Sequence, residues 1–386
     1  MNPVLRCLSC IVLPAVLLLL LPSCRRAPPE KTPLTVAEIL SGVPAEGYAR
    51  ALAPRKFDFP ADHGPHPGFR NEWWYFTGNL SADDGRRFGY QLTFFRTSLS
   101  PNPRPRQSRW GASEVYMAHF ALTDVSGKRF HAAERFSREA LGLAGAGGVP
   151  LRVWVEDWEA RVTGEKPWGM RLSAGMDGTS IDLRVRSVVP PVLNGEGGLS
   201  RKSSLEGNAS YYYSIPRMET AGTIRAGGRA YRVSGLSWFD REWSTSALEK
   251  NQVGWDWFAL HLEDGRSVML YRLRKRDGSI DPVSSGTLTL ADGSARSLSA
   301  DEVNLDILGS WRSSATDVRY PARWRLRIPG EGLDLEILPL LPDQELRMTF
   351  RYWEGAVAVK GRGASPGGYG YVELTGYGGP VRPEGG

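Results

Sequence analysis

The segment Trp238-Phe239-Asp240-Arg241-Glu242-Trp243 carries the most suggestive chemistry in the chain. In an extended strand the side chains alternate between faces, so Trp238, Asp240 and Glu242 share one. If that face turns inward, two carboxylates meet in a cavity walled by tryptophan. Like charges in an apolar site resist joint ionisation, so one pKa rises. A neutral carboxylic acid beside aromatic rings can protonate an alkene, and the ring quadrupoles can steady the resulting cation. The other reading is structural, with Arg241 or another arginine pairing with both acids.

Such a strand needs neighbours, and the sequence supplies them twice. EWWYFTGNL (72–80) is echoed by WDWFALHL (255–262); an acidic-Gly turn follows each, Asp84-Gly85 or Asp264-Gly265, and then an alternating run, FGYQLTFFR (88–96) or SVMLYRLR (267–274). Each set predicts a β-hairpin. The echo continues in order. HFALTDVSG (119–127) matches TLTLADG (287–293), WGMRLSA (168–174) matches WRLRIPG (324–330), and IDLRV (181–185) matches LDLEI (333–337). YYYSIPRMETAG (211–222) resembles RYWEGAVAVKG (351–361), and SGLSWFD (234–240) falls where GYGYVEL (368–374) does. The offset shrinks from about 182 to about 134, as loop deletions in a second copy require. A repeat of this size is a whole domain duplicated in tandem. Beyond residue 57 no amphipathic helix is evident, and short alternating runs are separated by turn residues, with 44 Gly in the chain. The expected class is all-β.

Aligning Phe76 with Phe258 puts Asp256 on the face of Phe258, Leu260 and Leu262, where Trp74 stands in the first copy. An acid on an apolar face is costly unless it is hydrogen-bonded or functional. Glu72 holds the equivalent edge of the first copy. These three are candidates for ligand contact, with a buried hydrogen bond as the alternative role of the two acids. Thirteen Trp suit packed barrel interiors, and two or three of them suit a ligand cavity.

Much chemistry is missing. There is no GxSxG elbow, no Walker loop and no HExxH, so no cofactor is expected. His63 and His66 lie in the loop DHGPH; the reading is a loop capping a barrel mouth, with no metal site. The net charge of +6 comes from scattered arginines without an interleaved nucleic-acid motif, so nucleic acid is not an expected partner.

Residues 1–24 read as a lipoprotein signal, with Arg6, the apolar run IVLPAVLLLLL (11–21) and Pro22-Ser23-Cys24. Leu21, Ser23 and Cys24 fit a lipobox, in which Cys24 is acylated and becomes the first mature residue. Of three cysteines, Cys7 and Cys10 are removed with the signal. Arg25 after the cysteine resembles outer-membrane sorting, so the expected location is the cell envelope, lipid-anchored on the periplasmic face of the outer membrane. Residues 25–56 form a Pro- and Ala-rich tether, with a short helix at 36–40. The first domain is expected over 57–245 and the second over 246–384.

HPGFRNEWWYFTGNL (66–80), YYYSIPR (211–217), GLSWFDREWS (235–244), GWDWFALHLEDG (254–265), YWEG (352–355) and GYVELTGY (370–377) resemble the AttH-like family, itself related to the carotenoid 1,2-hydratases (CrtC). The resemblance spans residues 57–380. It implies two tandem lipocalin-like antiparallel β-barrels, and lipoproteins of this kind are often encoded beside ABC-transporter permeases. The similar hydratases add water to the terminal double bond of a carotenoid, with an aspartate as acid in a Tyr-x-Asp motif. Here that motif falls at Trp238-Phe239-Asp240, and their His-x-Trp motif falls at Tyr211-Tyr212-Tyr213. The resemblance therefore points to Asp240 as acid, with Tyr211 or Tyr213 on a neighbouring strand, all facing into the first barrel.

Three functions follow from these readings. One is a membrane-tethered carrier of an apolar or amphipathic molecule, lipid or isoprenoid, serving an ABC-transporter permease. Another is a hydratase-like lyase acting on an isoprenoid double bond. The third is a structural subunit of an envelope complex.

Overall fold

The computed structural model describes residues 46–378, apart from 104–107, 165–167, 246–247 and 250. The signal segment with Cys24, most of the tether and the helix expected at 36–40 lie outside the described residues. The first strands are β1 (Asn71–Ala82), β2 (Arg87–Ser98), β3 (Glu114–Asp124) and β4 (Arg129–Arg138). Shorter ones follow: β5 (Ala144–Gly147), β6 (Arg152–Val155), β7 (Trp158–Val162), β8 (Gly169–Met176) and β9 (Thr179–Ser187). After β10 (Val192–Leu193) and β11 (Leu199–Arg201) come the long strands β12 (Ala209–Ala226) and β13 (Arg229–Ser244). The second set comprises β14 (Gln252–Leu262), β15 (Ser267–Lys275), β16 (Ser285–Thr289), β17 (Ala295–Ser299) and β18 (Asn304–Arg312). It ends with β19 (Arg319–Ile328), β20 (Leu333–Pro339), β21 (Glu345–Arg347), β22 (Arg351–Gly361) and β23 (Gly368–Leu374).

All pairings are antiparallel, in two sheets. The first runs β4-β3-β2-β1-β13-β12-β9-β8-β7-β6-β5 and the second β17-β16-β15-β14-β23-β22-β20-β19-β18. Strand for strand the second repeats the first as far as β7. The first curls nearly into a barrel, with β4 against β5 and β6 but not paired to either. The second, with no counterparts of β5 and β6 among the described residues, is a half-barrel. The acidic-Gly turns sit in the β1–β2 and β14–β15 hairpins. There Gly85 and Gly265 adopt φ of +82° and +90°, which glycine takes without a side-chain clash.

Each sheet has its own core: Trp74, Phe76, Phe239 and Trp243 in the first, Phe258, Leu260, Trp324 and Trp353 in the second. A third cluster, including Tyr75, Tyr212, Trp238, Trp257, Tyr271 and Tyr371, lies between the sheets. The central strands are therefore buried on both faces. That is why runs such as WWYF are continuously apolar where a half-buried strand would alternate. The loop before β1 covers the first barrel: Phe57 packs on Tyr211, Tyr213 and Trp243, His63 Nδ1 lies 2.5 Å from the Tyr213 hydroxyl, and Trp74 Nε1 donates to the His63 carbonyl at 2.9 Å. Aromatic side chains fill this interior, so it is a packed core and the open space lies elsewhere.

Candidate active site between the two sheets

The two sheets enclose a cavity of about 180 Å³, room for roughly one ring-sized organic group. Trp73, Trp255, Trp257, Phe95, Leu248 and Phe350 supply apolar wall, while Asp240, Glu242, Glu373, Lys202, Tyr212 and Tyr75 supply polar groups. The ladders explain who meets whom. On β13, Asp240 lies opposite Tyr75 of β1 and Ser214 of β12, and on β23 Glu373 lies opposite Trp257 of β14 and Glu354 of β22. Tyr75 and Trp257 are equivalent in the repeat, so Asp240 and Glu373 are too, one from each sheet.

Asp240 accepts three hydrogen bonds: from Tyr212 to Oδ2 at 2.6 Å, and to Oδ1 from Ser214 at 2.5 Å and Trp238 Nε1 at 2.6 Å. Burial pushes its pKa up to about 7, with those three bonds working against the rise and Glu242 adding to it. Tyr212 also accepts from Trp257 Nε1 at 3.2 Å, tying the two sheets together at the acid. Glu373 receives one bond, from Trp255 Nε1 at 2.8 Å. Burial pushes it up to about 8, with Asp240 and Glu242 contributing. Glu242 is held by Ser210 and by Lys202, whose Nζ is 2.8 Å away. Burial opposes the Lys202 charge, but Glu242, Tyr271 and Asp240 outweigh it and raise the ammonium's pKa. Deeper in, Tyr75 donates to Glu354 Oε1 at 2.5 Å, while Glu354 Oε2 has no partner among the described residues. Burial first, then Glu373, drives Glu354 well above the usual carboxylate range.

The shared face of Trp238, Asp240 and Glu242 is real in the structure, but its direction is not the expected one. It turns to the second sheet, because the alternate residues Phe239, Arg241 and Trp243 fill the first barrel. Asp240 and Glu242 line the cavity, and Trp238 stands behind Asp240 against Trp257 and His261. Tyr211 and Tyr213 belong to the barrel core, one pleat away; the tyrosine that meets Asp240 is Tyr212. Arg241 pairs with neither the Asp240 nor the Glu242 carboxylate; of these two residues it reaches only the Glu242 backbone carbonyl, at 3.0 Å. It lies over the Trp74 ring at 4.0 Å and binds Glu72, which Arg96 also holds at 2.7 Å. Burial would push Glu72 up, yet Arg241, His66 and Arg96 bring it down to about 2. Glu72 reaches the cavity rim with its carboxylate committed to these partners. Trp74 lies in the barrel core. Asp256 sits in the second core, bound by Arg274 and Tyr377, each at 2.9 Å, away from the cavity.

Glu373, Tyr212, Lys202 and Glu354 were not singled out by the sequence. The repeat could have pointed to Glu373, but matching 234–240 with 368–374 sets it beside Phe239. The ladders show a register one residue different, and one residue reverses the face.

A model of AttH-like proteins matches residues 50–377. Kievitone hydratase from Fusarium solani subsp. phaseoli is 26% identical over 175 residues, 43% of this chain and 49% of that protein. The chain thus spans about half the length of this curated relative. Among solved structures, a protein of Nitrosomonas europaea assigned as AttH has a TM-score of 0.76 and 34% identity, covering 85% of this chain and 99% of its own. Kievitone hydratase from Nectria haematococca shares the fold, with a TM-score of 0.63 at 17% identity over 86% and 96% of the two chains.

Proposed function

Starting from a chain that belongs to the AttH-like family, we propose that it binds a neutral, largely apolar molecule between its two sheets and adds water across a carbon–carbon double bond. The observation that carries this reading is the carboxyl pair Asp240 and Glu373, one from each sheet, facing a common cavity with aromatic walls. Hydration needs one group to deliver a proton and another to take one from water, and two carboxyls of raised pKa suit those tasks near neutral pH. Indole and phenol rings around them suit a developing cation. Lys202 is paired with Glu242, so among the described residues the cavity offers no free ammonium to an anionic substrate. An isoprenoid substrate agrees with the resemblance to carotenoid hydratases, and the relative named for kievitone hydration agrees with the reaction class.

The test is incubation of the purified protein with an acyclic carotenoid and with shorter isoprenoid alcohols in oxygen-18 water. The expected product carries one labelled hydroxyl. Asp240→Asn should slow its formation by about a hundred- to ten-thousand-fold, the usual contribution of a proton-transfer group. Unchanged turnover in that variant would refute the reading. Tight binding of a probe without any product would favour the carrier instead, which uses the same aromatic cavity without the proton transfer. The Leu21–Cys24 motif further supports a lipid anchor in the envelope.

A further inference from the structure

We propose that Glu373 is the proton donor of this cavity and that ionised Asp240 takes the proton from the attacking water. This assignment rests on the hydration reading above and reverses the role that the family resemblance implies for the aspartate.

The geometry distinguishes two otherwise equivalent acids by the direction of their hydrogen bonds. An indole N–H can only donate, so Asp240 Oδ1 must accept from Trp238. Ser214 receives the Asn194 amide at 2.8 Å, and Asn194 Oδ1 in turn receives Thr287 at 2.8 Å, which directs the Ser214 proton to Asp240. Tyr212 receives the Trp257 indole, which directs its proton to Asp240 as well. The two hydroxyls are thus fixed in the donating sense by a second partner, and the indole by its chemistry. Such an arrangement favours the carboxylate. A carboxylate has about four lone-pair positions; the three donors leave one on Oδ2, beside Tyr212, for a water. Glu373 is different. Its single donor is Trp255, and no described residue donates to its other oxygen, which is free to carry a proton toward the cavity. Two nearby anions, Asp240 and Glu242, further disfavour its ionisation.

The step balances without a co-reactant. The alkene π pair forms a new C–H bond with the Glu373 proton, whose O–H pair stays on the carboxylate. A lone pair of water then forms the C–O bond to the cation. Asp240 takes one proton from that water, leaving a neutral alcohol. Proton exchange with solvent returns Glu373 to its neutral form and Asp240 to its charged one.

The experiment has two arms, both on the full chain. Carboxyl carbon-13 labelling of glutamate, and separately of aspartate, is read by NMR at neutral pH. Glu373→Gln, Glu354→Gln and Asp240→Asn identify the resonances by their loss. Should Glu373→Gln fail to fold, Glu373→Asp makes the identification by moving the signal to the aspartate set. At that pH Glu373 is expected to be the more protonated of the two, and the reverse order overturns the assignment. The second arm follows deuterium uptake from heavy water into the alkene of an acyclic carotenoid. Protonation without water attack exchanges hydrogen, so Asp240→Asn should keep exchange while losing hydration, and Glu373→Gln should lose both by about a hundredfold or more. Exchange persisting in Glu373→Gln refutes the donor role. If the wild type neither hydrates nor exchanges the probe while the NMR order holds, the hydration reading fails and the charge assignment stands.

Discussion

At the scale of single residues, burial decides what each acid is for. Glu72, Asp240, Asp256 and Glu354 are all buried, yet their partners differ. Glu72 meets two guanidinium groups and the His66 backbone amide, which donates to both its oxygens at 3.1 Å. Its role is to hold β1, β2, β13 and the covering loop together. Glu72→Gln strands part of a buried cationic pair, and breaking such a pair costs about 3–5 kcal/mol. Denaturant melts should show that loss with little change in ligand affinity for the cavity. A loss below about 1 kcal/mol, typical of an exposed pair, would disprove a buried structural role. Asp240, with hydroxyl and indole donors only, keeps a pKa near neutrality and is suited to proton transfer.

At the scale of elements, the two sheets are held face to face by close backbone approach as well as by ring contacts. A Cβ built on Gly89 of β2 would lie 2.4 Å from the Ala356 Cβ of β22, closer than side chains allow. Asn79 of β1 donates to the Gly370 carbonyl of β23 at 2.9 Å, and His119 of β3 lies 2.6 Å from the Tyr352 hydroxyl of β22. Gly89→Val should force the sheets apart and destabilise the protein by about 1–3 kcal/mol, as overpacking does. The expected observation is a lower melting temperature together with weaker binding of any cavity probe. Wild-type stability in this variant would mean that the sheets are not packed as described.

At the scale of the whole molecule, the raised carboxyls make stability fall as pH rises. Unfolded Asp240 and Glu373 would ionise near 3.8 and 4.5, whereas in the fold they hold protons up to about 7 and about 8. Between those limits the folded state binds more protons, so their contribution is fully present below about pH 4 and lost as pH rises through about 7–8, each with a slope of at most about 1.4 kcal/mol per pH unit. The buried histidines act in the opposite sense. Burial lowers His63 and His119 to about 3 and His261 to about 4, so their contribution is present above 6.5 and lost as pH falls below it. Above pH 6.5 the carboxyls alone act among these groups. Melting temperature should drop from pH 6.5 to 8.5, and drop less in Glu373→Gln; an equal drop in both would exclude Glu373 as a cause. The envelope anchor is tested on the same scale. Cys24→Ala should release soluble protein into the periplasm, and an intact mass showing an unmodified Cys24 would exclude acylation.

The residue pattern alone determined the strands of the duplicated segments, their two acidic-Gly hairpin turns, their order and the common face of Trp238, Asp240 and Glu242. These follow from period-two alternation and turn chemistry, which are local properties of the chain. Which way that face points was a tertiary decision. β13 is covered on both sides, by Phe239 and Trp243 packing into one core and Trp238 into another, so apolarity did not distinguish inside from between. The ladders also decided that Tyr212, not its neighbours Tyr211 and Tyr213, meets the acid. Glu373 joined the site only when the half-barrel packed against the first sheet, since no local pattern marks a carboxyl brought to a cavity by strands more than a hundred residues away.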